Sequence, residues 1–405
     1  MTVPPPPAGL TPLAAPQTTT SPYRYERPET TSSGKARFEV LDGLRGSAAF
    51  LILLFHIQGI TVLFEGPRVL LHHAPLAVDF FFALSGFVVG YAYDDRWPRM
   101  TMAEFARIRL TRLHPLLVVG TLLGFASYVL DPFAAGAQRA SWPTLLTTLA
   151  LMLFVLPARP LPNRWYDTHP FNGPAWTLLQ EYIANLAYAV WLRRLSARAL
   201  GIVAGIAGIV LVSAAVARGS MDAGFGWDNW WMAPIRLAYP FVTGLWLYRV
   251  RDRLPRALQR LHAGWLPLSA LLTLAFLAPI MPDAGSVHLN GVYEAACVVL
   301  LFPLIIIAGA HAEAGTGMRR LSMGIGRLSY PLYITHFPFL YVYGNLVVIQ
   351  KAPSRVTTPL AVALVPFLSF VAWAAAKWWD EPIRARLRRG RLRGADTVSD
   401  QLVNR

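Results

Sequence analysis

A small set of ionisable side chains falls inside strongly apolar stretches of this 405-residue chain: Arg45, His56, Asp79, Glu181, Arg236, Glu294 and His336. Such groups are costly in a membrane helix, so they are usually paired, turned to a cavity or used in chemistry. His56 is of most interest, because imidazole is the side chain whose ordinary pKa allows proton exchange near neutral pH. A histidine base that takes a proton from a hydroxyl, with a cation close by, is equipment for acyl transfer. Glu181 and Arg236 are the partners expected beside it. The same residues would also serve a proton-coupled transporter of a glycan, lipid or small anion. Plainer roles stay open too: Arg45 snorkelling at a boundary, Glu181 pairing with Arg236, Asp79 locking two helices, and Glu294 idle near a helix end. The chain has no G-x-S-x-G, H-E-x-x-H or P-loop pattern, which leaves serine-hydrolase, zincin and ATPase readings without support.

Helices that cross a membrane must hold these residues. Charged residues make up 15% of the chain, against roughly 25% in soluble domains, and the mean hydropathy is +0.41. Apolar runs predict about ten spans: 44–64, 76–93, 113–130, 175–191, 199–217, 230–248, 265–281, 291–310, 328–349 and 360–376. The run 145–156 reaches only about 18 Å and is expected to stay on one side of the roughly 30 Å core. With both termini cytoplasmic, most of the 37 Lys and Arg residues fall in inner loops, as the positive-inside rule requires. The net charge of +15 is thereby read as membrane topology rather than nucleic-acid binding. Cys297 lies in an apolar run and is expected to be an inert buried thiol. Residues 1–35 read as a disordered Pro/Thr/Ser-rich cytoplasmic tail, 36–385 as one transmembrane domain, and 386–405 as a basic cytoplasmic tail.

The ordered motifs carry a family likeness. Phe38–Gly46 reads FEVLDGLRG, and Arg45 is followed after ten residues by His56; this resembles the opening of the acyltransferase 3 family of integral-membrane O-acyltransferases. Val78–Phe87, with Asp79 and Ser85, resembles its second-helix motif. Arg109, Arg112, His114 and Pro115 resemble its basic segment. Trp176 to Glu181 resembles its tryptophan-to-glutamate motif, although Gln180 stands where a second acidic residue is common. Leu328–His336, with Tyr333, resembles a late helix signature, and Asp380–Pro382 the closing one. The resemblance implies an acyl donor, usually acetyl-CoA, held from the cytoplasmic face by Arg45, Arg109 and Arg112. It implies His56, Glu181 and Arg236 as catalytic residues, with Asp79, Ser85, Trp176, Tyr333 and His336 about the cavity and no metal. It also implies a surface or lipid-linked glycan as acceptor, a multi-pass place in the bacterial inner membrane, and glycan-assembly proteins as partners.

Overall fold

The computed structural model describes residues 38–65, 68–134, 139–312 and 316–387. The expected tail 1–35, residues 388–405 of the basic tail, and hence the sides on which the termini lie, fall outside them. The described chain is helical apart from two isolated β-bridges, Asp167 with Gly226 and Ala284 with Val287. In chain order the helices are α1 (Glu39–Thr61), α2 (Ala77–Tyr93), α3 (Met102–Val129), α4 (Trp142–Leu153), α5 (Ala175–Val190), α6 (Ala197–Arg218) and α7 (Met232–Val250). Then follow α8 (Arg256–Gln259), α9 (Trp265–Leu277), α10 (Leu289–Ala296), α11 (Phe302–Ala310), α12 (Thr316–Thr335), α13 (Phe337–Val348) and α14 (Ser354–Ala375).

Among the described residues, six helical stretches are long and apolar enough to cross a membrane: Glu39–Thr61, Ala74–Tyr93, Met102–Val129, Ala197–Arg218, Leu289–Ala310 and Ser354–Leu387. The protein is an all-α polytopic membrane protein with at least these six. The other four expected spans fall short in length, charge or continuity. α5 has 16 residues and α9 has 13. α7 carries Arg236 and Arg249 among its apolar residues. The expected span 328–349 is broken at His336, where α12 ends and α13 begins. The break is what turns His336 into a junction residue, and apolar run length alone does not register it.

α1 and α2 are central. The apolar windows of these stretches are 67% and 72% buried, against 17% for that of α14, whose outer face is left for lipid. α1 packs against α12, α9, α14, α2 and α13, and its Leu44, Ala48 and Ile52 join the largest apolar core. α2 and α7 lie backbone to backbone. A side chain on Gly86 would strike the Phe241 carbonyl, and one on Gly244 would strike the Ala83 carbonyl. The two glycines let Asp79 on α2 and Arg236 on α7 face each other at contact distance.

Two connections are bonded to each other and to the bundle. Residues 154–174 run largely buried between α4 and α5. The Thr168 N–H donates to the Phe225 carbonyl (2.8 Å), and Trp227 Nε1 to the Ala158 carbonyl (2.8 Å). Asn172 Nδ2 reaches the Ile334 carbonyl (2.8 Å). These bonds tie the connection to the 219–231 loop and to α12, and they satisfy polar groups that burial would otherwise strand.

The expected short run appears as α4, with 12 residues, or about 18 Å of helix. With Cys297 replaced by Ser, single cysteines at Arg139 and Asn163 should react with an impermeant maleimide from the same side of the membrane. Labelling from opposite sides would show that α4 crosses.

Candidate active site

His56 sits in the second half of α1, partly exposed, on the wall of a cavity of about 450 Å³. Its Nδ1 lies 3.1 Å from Nε2 of the fully buried His336, and the rings stack at 5.3 Å between centroids. The partners of His336 assign the protons. Its Nδ1 faces the carbonyls of Leu332 (3.0 Å) and Tyr333 (2.9 Å), which only accept, so Nδ1 carries the hydrogen. His336 Nε2 is therefore an acceptor, and the Nδ1–H of His56 donates to it. His56 Nε2 is left as a lone pair. This is the base-and-orienter arrangement of a catalytic triad, with a backbone-tethered imidazole in the place of a carboxylate.

Arg236 and Asp79 form a buried clamp. Arg236 Nη2 donates to Asp79 Oδ2 (2.6 Å) and Nε to Oδ1 (3.2 Å). Two further donors reach the carbonyls of Ala223 (2.7 Å) and Pro75 (2.8 Å). The guanidinium also lies 5.6 Å from the centroid of the Trp176 ring. Arg236, Trp176 and Tyr333 all line the His56 cavity, and Tyr333 Oη is hydrogen-bonded by Thr177 Oγ1 (3.1 Å).

A second polar group lies toward the other end of α1. Arg109 Nη2 donates to Glu181 Oε1 (2.6 Å), and Ser85 Oγ donates to the same oxygen (3.2 Å). Arg45 is held by Ser329 Oγ (2.9 Å), the Gly326 carbonyl (3.1 Å) and Asp42 (3.2 Å). Arg112 is within electrostatic range of Arg109, Arg45 and Glu181. Its guanidinium has no hydrogen-bond or ion-pair partner among the described residues, and Arg109 Nε is likewise buried without one. Three crowded guanidiniums facing few carboxylates repel one another unless an anion joins them.

Residues 38–378 match the acyltransferase 3 family, described as an acyltransferase domain. The chain belongs to that family. This acyltransferase is 28% identical over 328 residues to "Acyltransferase MdmB" of Streptomyces mycarofaciens, covering 74% of this chain and 78% of that one. It is 33% identical over 189 residues to "Protein 2 in picA locus" of Rhizobium radiobacter, covering 44% of this chain and 95% of that one. No solved structure matches it.

The acyltransferase divides the residues expected to act together. His56, His336, Arg236, Trp176 and Tyr333 gather at the cavity, with Asp79 behind Arg236. Arg45, Arg109, Arg112, Ser85 and Glu181 gather elsewhere. The expectation that Glu181 shares the cavity of His56 is corrected: its carboxylate is taken by Arg109 and Ser85. The open alternative that Glu181 pairs with Arg236 is not what is seen, because Arg236 is taken by Asp79. Glu294, expected to have no catalytic role, accepts from the Met221 N–H (2.5 Å) and contacts His73 Nδ1 (3.0 Å), both structural contacts.

Asp167, Asp222 and Trp165 were not visible as site residues, since they sit in connections outside any motif. All three line the cavity. Asp167 accepts a hydrogen bond from the Tyr341 hydroxyl. Burial pushes its carboxyl up to about 7, against the opposing pull of Tyr341 and Arg164. Desolvation likewise raises Asp222 to about 6, with Arg236 opposing. Leu63, Phe64 and Trp165 on the same wall have positive φ, 56°, 53° and 45°, a backbone state costing roughly 1–2 kcal/mol for such residues.

Removing one partner of a buried ion pair costs about 3–5 kcal/mol. Asp79→Ala should therefore sharply reduce the monodisperse protein recovered in detergent, and adding Arg236→Ala should restore part of it. Wild-type recovery of D79A would show that the pair does not hold α2 to α7.

Proposed function

We propose that this acyltransferase moves an acetyl group from acetyl-CoA to a hydroxyl of a surface or lipid-linked glycan, within a ten-span fold in the bacterial inner membrane. One observation carries the reading. His56, which lines the cavity and whose Nδ1 is engaged by His336, shares a helix with Arg45 eleven positions earlier, about 16 Å away. The arginine cluster offers planar donor forks for the phosphates of CoA. The separation suits a pantetheine arm running from that cluster to the histidine. The name of the Streptomyces relative as an acyltransferase supports the same chemistry.

In the proposed reaction the acceptor hydroxyl gives its proton to His56 Nε2 as its oxygen attacks the thioester carbonyl. The Nδ1–H bond to His336 keeps the ring aimed while it carries the positive charge. In this reading the tetrahedral oxyanion is met by donors from the cavity wall, and the Tyr333 hydroxyl and the remaining N–H of Arg236 are the groups assigned to it. Collapse breaks the C–S bond, and the CoA thiolate leaves with the proton from His56. Arg236 is then chiefly a wall and a clamp, and Glu181 positions Arg109 on the donor side.

His56→Ala should lower turnover by roughly 10²–10⁴-fold while acetyl-CoA binding persists. His336→Ala should lower it less and His336→Gln should recover part, since an amide can still accept from Nδ1–H. Turnover of H56A within about threefold of wild type would end this reading. An acetyl group trapped on the protein without acceptor, and lost in H56A, would replace base catalysis by an acyl-histidine route.

Arg109→Ala should mainly raise the apparent KM for acetyl-CoA, by about tenfold or more for a charge-assisted bond. A change confined to acceptor use would remove the cluster from the donor side.

A further inference from the structure

Arg109 and Arg112 are carried by a stretch of α3 that its own backbone holds less firmly. Pro115 lies inside the helix, three residues after Arg112 and six after Arg109. A proline there has no N–H to give to the carbonyl four residues back, and its ring crowds that carbonyl, so the preceding turn is weakened. Carbonyls inside a regular helix are met by its own N–H groups. Here three of them also receive side-chain donors from other helices. Arg384 Nη2 donates to the Arg112 carbonyl (2.8 Å), Tyr330 Oη to that of Leu113 (2.5 Å) and Trp379 Nε1 to that of Pro115 (3.0 Å). Tyr330 is on α12. Trp379 is in the π turn Ala376–Asp380 that continues α14, and Arg384 is in the helix beyond it. Arg384 is itself aimed by the buried Asp380, whose Oδ1 accepts from Nε (2.8 Å) and whose Oδ2 lies 2.7 Å from Nη2.

We propose that Tyr330, Trp379 and Arg384, with Asp380 behind Arg384, are positioning residues for the acetyl-CoA site. They brace α3 at its proline and so hold Arg112 toward the phosphates of the donor. The inference rests on the reading of the arginine cluster as the donor side. The two arginines differ in what directs them. The Arg109 guanidinium is tied to Glu181, whereas that of Arg112 has no partner among the described residues. Its direction therefore comes from the backbone it hangs from, and the Arg384 bond falls on the carbonyl of that same residue. A planar fork binds phosphate well only when it is aimed. The Asp380 carboxylate also answers the charge of Arg384, so the brace adds little to the repulsion among Arg45, Arg109 and Arg112. Tyr330 stands within electrostatic range of Glu181, Asp380 and Arg384, which places the brace beside the cluster it serves. The π turn fits this role, since such turns occur mostly as single insertions at functional sites.

The test measures acetyl-CoA binding to the full-length protein in nanodiscs by isothermal titration calorimetry, with the Tm followed alongside. Three variants remove the donors and keep the bulk: Arg384→Met, Trp379→Phe and Tyr330→Phe, of which the two aromatic ones leave every charge in place. Each should raise the Kd for acetyl-CoA by about threefold to tenfold, with the Tm of the aromatic variants little changed. Arg112→Ala should raise the Kd by about tenfold or more. Adding Arg384→Met to Arg112→Ala should then change it by less than about twofold, because the brace has no guanidinium left to aim. A wild-type Kd in all three single variants, with binding weakened in Arg112→Ala, would overturn the brace and leave the donor site in place. A lowered Tm at unchanged Kd would overturn it too, and so would full additivity of Arg384→Met with Arg112→Ala. A wild-type Kd in Arg112→Ala would overturn the donor-side reading of that arginine and the brace together.

Discussion

A guanidinium buried between membrane helices must have its charge met and its donors engaged, because hydrocarbon offers neither water nor counterion. Arg236 meets that demand with both oxygens of Asp79 and the carbonyls of Pro75 and Ala223. Four separate pieces of chain are thereby tied to one side chain: α2, α7, the turn before α2 and the loop after α6. The glycine contact between α2 and α7 makes the reach short enough, and the loop carrying Ala223 also carries Asp222 and Phe225. The cavity wall, the cap over it and the central helix pair thus share one polar anchor. A lysine there would keep the charge and lose the fork that engages two carbonyls beside the carboxylate.

The histidine pair meets a different constraint. A buried carboxylate beside His56 would have required its own cation in an already crowded interior. His336 supplies orientation without that burden, because its outer nitrogen is fixed by backbone carbonyls. The carbonyls are those of Leu332 and Tyr333, in the last turn of α12, just before the chain breaks and restarts as α13. The local geometry of one helix end is in this way passed to the reactive nitrogen of another helix.

Much of this was legible in the residues. Charge-poor apolar runs showed a polytopic helical protein, and the arginine, ten residues, histidine spacing singled out α1. The motif order brought in Asp79, Trp176, Tyr333 and His336 before any of them had a position. The pairing of charges was less readable. Glu181 and Arg236 each needed a partner, but which one they found depends on helix rotation and on the Gly86–Gly244 contact, neither of which hydropathy reports. The break at His336 was hidden because the residues on both sides are equally apolar. Asp167 and Asp222 were hidden for another reason: they lie in connections, where an acidic residue ordinarily signals only solvent.

The strained backbone at Leu63, Phe64 and Trp165 has a consequence for the way such an enzyme diversifies. Residues held in the left-handed region are kept there by their surroundings, so this rim is a shaped template more than a pliable fringe. The proton-handling pair belongs to α1 and to the α12–α13 junction, whereas these three residues belong to connections between helices. Mutational drift in those connections would reshape the cavity wall while leaving the histidine pair in place. Lineages that share one chemistry are thus free to diverge in the molecules they decorate.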